Sequence, residues 1–188
     1  MIKFNKGALG MLAVLMSAQC ATAWAGDLPM AEPATPCAVL MGGGGMVFPD
    51  EQVNQLWFRI NSTLSGHVAD DLQQKGYRVE RMIVDIRNGD QRLAMLGQEV
   101  TRTHCSKIVQ ITHALEDMPK GAGGGRSFVF TVSILGIGDT STLTGGFKKE
   151  YRYPLTPEVM HSLSLSQVAT QMADDIAATH EIDKAAGG

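Results

Sequence analysis

Cys37-Ala38-Val39-Leu40-Met41 runs directly into Gly42-Gly43-Gly44-Gly45 and then into Met46-Val47-Phe48-Pro49-Asp50. Five apolar residues in a row, too short for a helix and ended by glycine, predict a strand buried on both faces, as inside a parallel sheet. Asp50 is placed to cap a helix. After it, Val53, Leu56, Trp57, Ile60, Leu64, Val68 and Leu72 recur near the 3.6-residue period until Gly76 closes the pattern. Ser65-Gly66 predicts a bend within that helix. A doubly buried strand followed by a long amphipathic helix sets the class of fold: helices laid on a sheet.

Downstream, Tyr77 to Ile86 reads as a second strand with Val79, Met82, Ile83, Val84 and Ile86 as its apolar set, and Asn88-Gly89 turns the chain. A second helix carries Leu93, Leu96 and Val100 on one face. Cys105 leads into a third strand, Ile108 to Leu115, with Val109, Ile111, His113 and Leu115 on one side. After a glycine-rich loop from Met118 to Gly125, Phe128, Phe130, Val132 and Ile134 alternate with Val129, Thr131 and Ser133, which predicts a half-buried antiparallel strand. Gly136 to Asp139 makes the next turn. In the fifth strand Phe147, Tyr151 and Tyr153 alternate with Lys148, Glu150 and Arg152, a charged face suited to a sheet edge, and Gly145-Gly146 suggests a bulge. Pro154 and Pro157 end it. Ser164-x-x-Gln167 has the form of a capping box ahead of Leu165, Val168, Met172 and Ile176 on a last helix.

The expectation is an α/β (α+β) fold with a single mixed sheet of about five strands, in the order β-α-β-α-β-β-β, closed by a C-terminal helix. Right-handed crossovers from strand one to two and from two to three let strands one and three lie side by side. Cys37 and Cys105 then begin neighbouring parallel strands at the same end, within the span a disulfide requires.

Upstream, Lys3 and Lys6 precede an apolar run from Ala8 to Ala18, and Ala23-Trp24-Ala25 supplies small residues for a leader-peptidase cut. A run of about a dozen residues is short of the roughly 20 that cross a bilayer. Residues 1–25 therefore read as a cleavable signal peptide, which implies a periplasmic, not membrane-spanning, protein. A lipoprotein cut before Cys20 is the alternative, disfavoured by Gln19 where such signals carry a small residue. Residues 26–36, with Pro29, Pro33 and Pro36, read as a linker, residues 37–180 as one domain and residues 181–188 as a tail. Of the 16 basic residues, loss of Lys3 and Lys6 leaves 14 against 19 acidic, a net charge of −5. Two cysteines remain, and an exported pair predicts a Cys37–Cys105 disulfide where a cytosolic pair predicts two buried thiols.

The chain has 188 residues, 44% hydrophobic and 19% charged, with a net charge of −3. That size suits one domain, and the charge gives no footprint for nucleic acid.

Cys37 to Met41 before the long helix, Lys75-Gly76-Tyr77-Arg78-Val79 at the second strand, and Ser106-Lys107-Ile108-Val109-Gln110-Ile111 after the second helix carry a resemblance. The pattern from Cys37 to about Thr179 resembles the envelope domain found in the amino-terminal part of the Tol translocation protein, in the curli-secretion lipoprotein and in penicillin-binding-protein activator lipoproteins. The resemblance implies a non-catalytic adaptor that binds another protein in the bacterial envelope. The chain departs from it in lacking a convincing lipoprotein cysteine.

No catalytic constellation is recognisable. Gly42 to Gly45 sits between strand and helix, where amides can cradle a phosphate, but lacks the Gly-Lys-Ser/Thr or the third glycine of the nucleotide loops. No Gly-x-Ser-x-Gly elbow occurs. Asp70-Asp71, Glu116-Asp117 and Asp174-Asp175 are sequence neighbours that diverge on a helix or turn and read as solvated surface. His67 and Asp71 share a helix face, but a metal site needs three or four converging ligands. His113 reads as a hydrogen-bonded core residue. No cofactor is expected. What remains is recognition. Gly43, Gly44, Met46, Phe48 and Arg126 are the candidate partner contacts, on a glycine hinge and at the second glycine-rich loop. Two readings of Met46-Val47-Phe48 stay open: insertion into a partner, or packing beneath the long helix. The function expected is an envelope adaptor, with an immunity or inhibitor protein, or a small-ligand protein or enzyme using the glycine loop, as alternatives.

Overall fold

The computed structural model describes residues 35–85, 91–118, 125–137 and 143–182; the signal-peptide reading, the Asn88-Gly89 turn, the loop reading between Met118 and Gly125 and the Gly138-Asp139 part of the next turn lie outside them, whereas Gly136 and Ile137 are strand. The elements follow the order β1 (Thr35–Gly45), α1 (Glu51–Gln74), β2 (Val79–Ile83), α2 (Arg92–Thr103), β3 (Cys105–Asp117), β4 (Arg126–Ile137), β5 (Leu143–Pro154), α3 (Pro157–Ser162) and α4 (Leu165–Ala178). They form one five-stranded mixed sheet, β2-β1-β3-β4-β5, beside four helices. β1 runs parallel to β2 and β3, while β3, β4 and β5 form an antiparallel meander. This is the α+β arrangement expected, with β1 and β3 adjacent.

β1 is an interior strand, between β2 and β3, and its side chains from Cys37 to Met41 alternate between the two faces. Ala38 and Leu40 join the large cluster under α1 and α4, with Leu64, Leu72, Ile111, Ile134 and Met172. Cys37, Val39 and Met41 join a smaller cluster on the opposite face with Ile108 and Leu96 of α2. Cys37 and Cys105 are disulfide-bonded with their Cα atoms 4.8 Å apart.

Several boundaries differ from the expectation. β1 starts at Thr35, so Pro36 lies within the strand. Proline is tolerated there because the β1–β3 register is broken between Thr35 and Ala38. Gly42–Gly45 is not a loop or hinge but the last third of β1, with Gly42 paired to Ile83 and Gly44 to Thr112. The glycines serve close approach. A side chain at Gly42 would lie 2.7 Å from Ser65 Oγ on α1, and Gly43, at φ +95°, would drive one into the Val84 carbonyl. The phosphate-cradle reading falls with the loop.

Asp50 does cap α1, accepting from the Gln52 N–H at 2.8 Å. α1 continues through Ser65-Gly66, where Ser65 Oγ turns back onto the Asn61 carbonyl at 2.7 Å. Leu56 and Leu93, assigned to buried helix faces, are 48% and 73% exposed. Leu96 is buried on α2, and Val100 packs against the same cluster. The strand-two assignment shortens to Val79–Ile83, and β5 is an edge whose pairing to β4 shifts between Ser133 and Leu135, next to Gly145-Gly146. The capping box is absent: Ser164 Oγ bonds Ser166 Oγ at 2.8 Å and caps no amide. α3 was not expected; Thr156 caps it. Ile182, assigned to the tail, is buried in the large core.

Candidate functional site

Strand direction brings four segments to one end of the sheet: the C-terminal ends of β1, β3 and β5 and the N-terminal end of β4. The chain leaves β1 there through Met46, Val47 and Phe48. Met46 donates its N–H to the His113 carbonyl at 3.1 Å, extending the ladder one step past Gly45. Phe48 is fixed by two bonds to one side chain, its N–H to Asn54 Oδ1 and its carbonyl from Asn54 Nδ2, both 2.9 Å. Its ring lies parallel to Trp57, centroids 6.2 Å apart. The two readings of this segment are therefore divided by residue. Phe48 packs against the core, whereas Met46 and Val47 face outward, 43% and 57% exposed.

The apolar strip continues past Phe48. Trp57 meets Phe128 of β4 edge-on at 5.2 Å. These two rings, with Ile60, Phe130 and Met160, wall an apolar groove of about 150 Å³. Met160 of α3 and Leu155, just before it, are 50% and 40% exposed. Leu155 is tied to the start of β4 through its N–H to the Arg126 carbonyl at 2.7 Å. Arg126 itself is half exposed, its Nε 3.6 Å from the exposed Asp117 carboxylate. Isolated exposed apolar residues are ordinary in folded proteins, whereas large contiguous apolar patches are the usual form of interaction sites.

Behind the strip is a buried polar pair. His113 is 3% exposed, in face-to-face contact with Trp57 at 4.3 Å. Asn61 Nδ2 reaches its Nδ1 at 2.8 Å while also donating to the Trp57 carbonyl at 2.8 Å. An amide nitrogen with both hydrogens directed this way leaves Nδ1 as an acceptor, hence the neutral imidazole with its proton on Nε2. Burial pushes the His113 pKa down to about 4, and the backbone of Met46 and Gly44 offsets only part of this. The reading of His113 as a bonded core residue agrees with this geometry. Asn61 was missed; the signal was a polar residue within the apolar stripe between Trp57 and Leu64.

The other candidates are dispersed. Gly43 and Gly44 are buried within β1 and present no surface. His67 is exposed and Asp71 accepts from Thr170 Oγ1 at 2.7 Å. Among the described residues no three His, Cys, Asp or Glu side chains group as metal ligands. Of the carboxylates read as solvated surface, Asp175 is instead structural. It accepts from Lys149 Nζ at 2.6 Å and from the Tyr151 hydroxyl at 2.7 Å. Partial burial opposes its charge, but these donors and the lysine's charge outweigh it and hold the carboxyl below its ordinary range.

No family model matches the chain, and no curated protein matches it. Solved structures do. A PelC dodecamer from Paraburkholderia phytofirmans is 12% identical over 81% of this chain and 93% of its own, with a TM-score of 0.43. A neuraminyllactose-binding hemagglutinin homolog from Helicobacter pylori, so described with a question over its assignment, is 10% identical over 80% of this chain and 90% of its own, at 0.41. A hypothetical protein from Chlamydia trachomatis is 8% identical over 77% and 95%, at 0.41. None of the three is among the Tol, curli-secretion or activator proteins whose pattern the sequence resembles. Among the described residues no helix is long and apolar enough to cross a membrane.

Proposed function

We propose that the chain is an exported, non-catalytic domain that binds a protein partner in the bacterial envelope, as an adaptor or accessory factor. It meets that partner with the end of the sheet bearing Met46, Val47, Leu155 and Met160. The observation carrying this reading is the exposure of these four apolar side chains, of which Met160 also lines the groove walled by Trp57 and Phe128. Export is supported by the Cys37–Cys105 disulfide, a bond that persists in oxidising compartments.

The test is capture from envelope extract with the wild-type domain and with Val47→Asp and Met160→Asp. Both positions are at least half exposed, so each substitution changes stability by within about 0.5 kcal/mol. A captured protein that both variants lose supports the reading. Capture unchanged by either variant sinks this surface as the contact. A toxin or cell-wall hydrolase as the captured species makes the domain an immunity or inhibitor protein rather than an adaptor.

A further inference from the structure

The contact loop and the buried histidine are one mechanical unit. The Met46 N–H sits on the His113 carbonyl, the His113 ring lies parallel to Trp57 with the Phe48 ring parallel beside both, 6.4 Å from His113 and 6.2 Å from Trp57, and Asn61 holds the ring from α1. The strand that ends in this loop enters it through Gly45, at φ +141°, whose missing side chain leaves room for the His113 backbone and Nδ1. We propose that His113 is a protonation-operated latch for the β1–α1 loop: neutral, it holds Met46–Phe48 in the presented conformation, and charged, it releases them.

The argument is geometric. Protonation from solvent would place a hydrogen on Nδ1, directly opposite the hydrogens of Asn61 Nδ2. Turning the Asn61 amide over would present Oδ1 to the ring but would set that oxygen against the Trp57 carbonyl, which now accepts from Nδ2. In this arrangement Asn61 cannot serve both the charged ring and the Trp57 carbonyl. The groups meeting His113 are Trp57 and Asn61 from α1, Gly44, Gly45, Met46 and Phe48 from β1 and its loop, and Phe130 across the ladder on β4. None of these is titratable or charged, so among the described residues only the backbone of Met46 and Gly44 favours an imidazolium there. Asn61 Oδ1 and His113 Nε2, both buried, have no partner among the described residues. The pair is thus poised rather than saturated.

The direction with pH follows. The released state binds the proton near the ordinary histidine value of 6.5, the closed state only near 4. Closure is therefore fully favoured above pH 6.5 and weakens by up to tenfold for each pH unit below it, until the closed state also takes the proton. The release is local, because Val109, Ile134 and the rest of the core carry no titrating group at this site. The latch is a property of the fold; that its opening withdraws a binding surface rests on the partner reading above.

The experiment follows the His113 ring nitrogens by NMR from pH 7.5 to 4, alongside amide exchange corrected for its intrinsic pH dependence. At pH 7.5 the expected result is an unprotonated Nδ1. On acidification the Met46 and Phe48 amides lose protection at least tenfold in step with the ring's titration, while Val109 and Ile134 stay protected. In His113→Phe, which fills the stack and cannot charge, Met46 and Phe48 remain protected throughout. A protonated Nδ1 at pH 7.5 overturns the latch. So does loss of protection that is equal in His113→Phe, absent while the ring titrates, or simultaneous with that of the core. Should His113→Phe not fold, the correspondence within the wild type decides alone. No partner enters this assay, so failed capture at neutral pH defeats the contact surface and leaves the latch standing, and the reverse holds equally.

Discussion

The two faces of the sheet are built by different means. One is covered by α1 and α4, and its cluster draws apolar side chains from all five strands, with Leu40, Leu64, Val109, Ile134 and Met172 all fully buried. Among the described residues the other has only α2 across β1, β2 and β3, and its cluster is eight buried residues, two of them the joined cysteines. Beyond α2 that face is closed by charge. Arg152 spans Glu116 at 2.5 Å and Glu150 at 2.6 Å across the outer surface of the meander. The lesson is that the disulfide lies where apolar burial is thinnest. A covalent tie between the starts of β1 and β3 supplies on that side what side-chain volume supplies on the other.

Breaking the tie should therefore give the largest effect. Residues 68 apart in sequence are joined, and the loop-closure estimate for such a span is about 4 kcal/mol. Cys37→Ser with Cys105→Ser is expected to lower the unfolding free energy by that amount, read from the denaturant midpoint and slope, with the slope compared to detect any change in the unfolded state. A loss below about 1 kcal/mol would mean that the thin face is held by something else. Next comes truncation on either face. Leu64→Ala, at full burial beneath the large core, should cost about 3 to 4 kcal/mol, and Leu96→Ala, 6% exposed on α2, about 2. The two are separable by coupling. Leu96 shares its cluster with both cysteines, so its cost should change on reduction, whereas that of Leu64 should add to it. Equal coupling at both sites would erase the distinction between the faces.

Much of this division could be read in the chain. The unbroken run Cys37–Met41 required burial on both faces, and the alternation from Phe128 to Ile134 required burial on one, because side-chain direction in a strand has period two. The cysteines' common end followed from crossover handedness. What failed has physical causes. Gly42–Gly45 carries no side chains and thus no period, so its continuation of β1 was invisible; only the nearness of Ser65, Val84 and His113 explains it. Leu56 adjoins Trp57 on the helix, about 100° round from it, and sits outside the buried stripe despite its apolarity. Six residues are too few for α3 to show a repeat. At the candidate site Met46 and Phe48 were identified, but their opposite orientations are set by Asn54, and the Asn61–His113 contact joins residues 52 apart. Such pairs exist only once the helix is laid on the sheet.

The smallest effect contrasts the two sides of a single strand. On the large-core side of β5, the Tyr151 hydroxyl donates to Asp175 of α4 at 2.7 Å while its ring is 4% exposed. On the other side Arg152 is about half exposed within its ion pairs. Tyr151→Phe removes one hydrogen bond to a charged acceptor that is partly exposed and keeps Lys149, so a loss of about 1 kcal/mol is expected. Arg152→Ala, although it deletes two ion pairs, should cost less than Tyr151→Phe, because solvent screens both. Acid separates them further. The Asp175 carboxyl is held below its ordinary value, so its contribution is complete above that value and disappears as pH falls through the lowered one. Losing the Tyr151 donor raises that lowered value toward the ordinary one, and Tyr151→Phe should accordingly lose less stability than the wild type across the acid limb measured by urea melts below pH 4. An acid limb identical in the two proteins would place the hydroxyl's contribution in packing rather than in the charge it solvates.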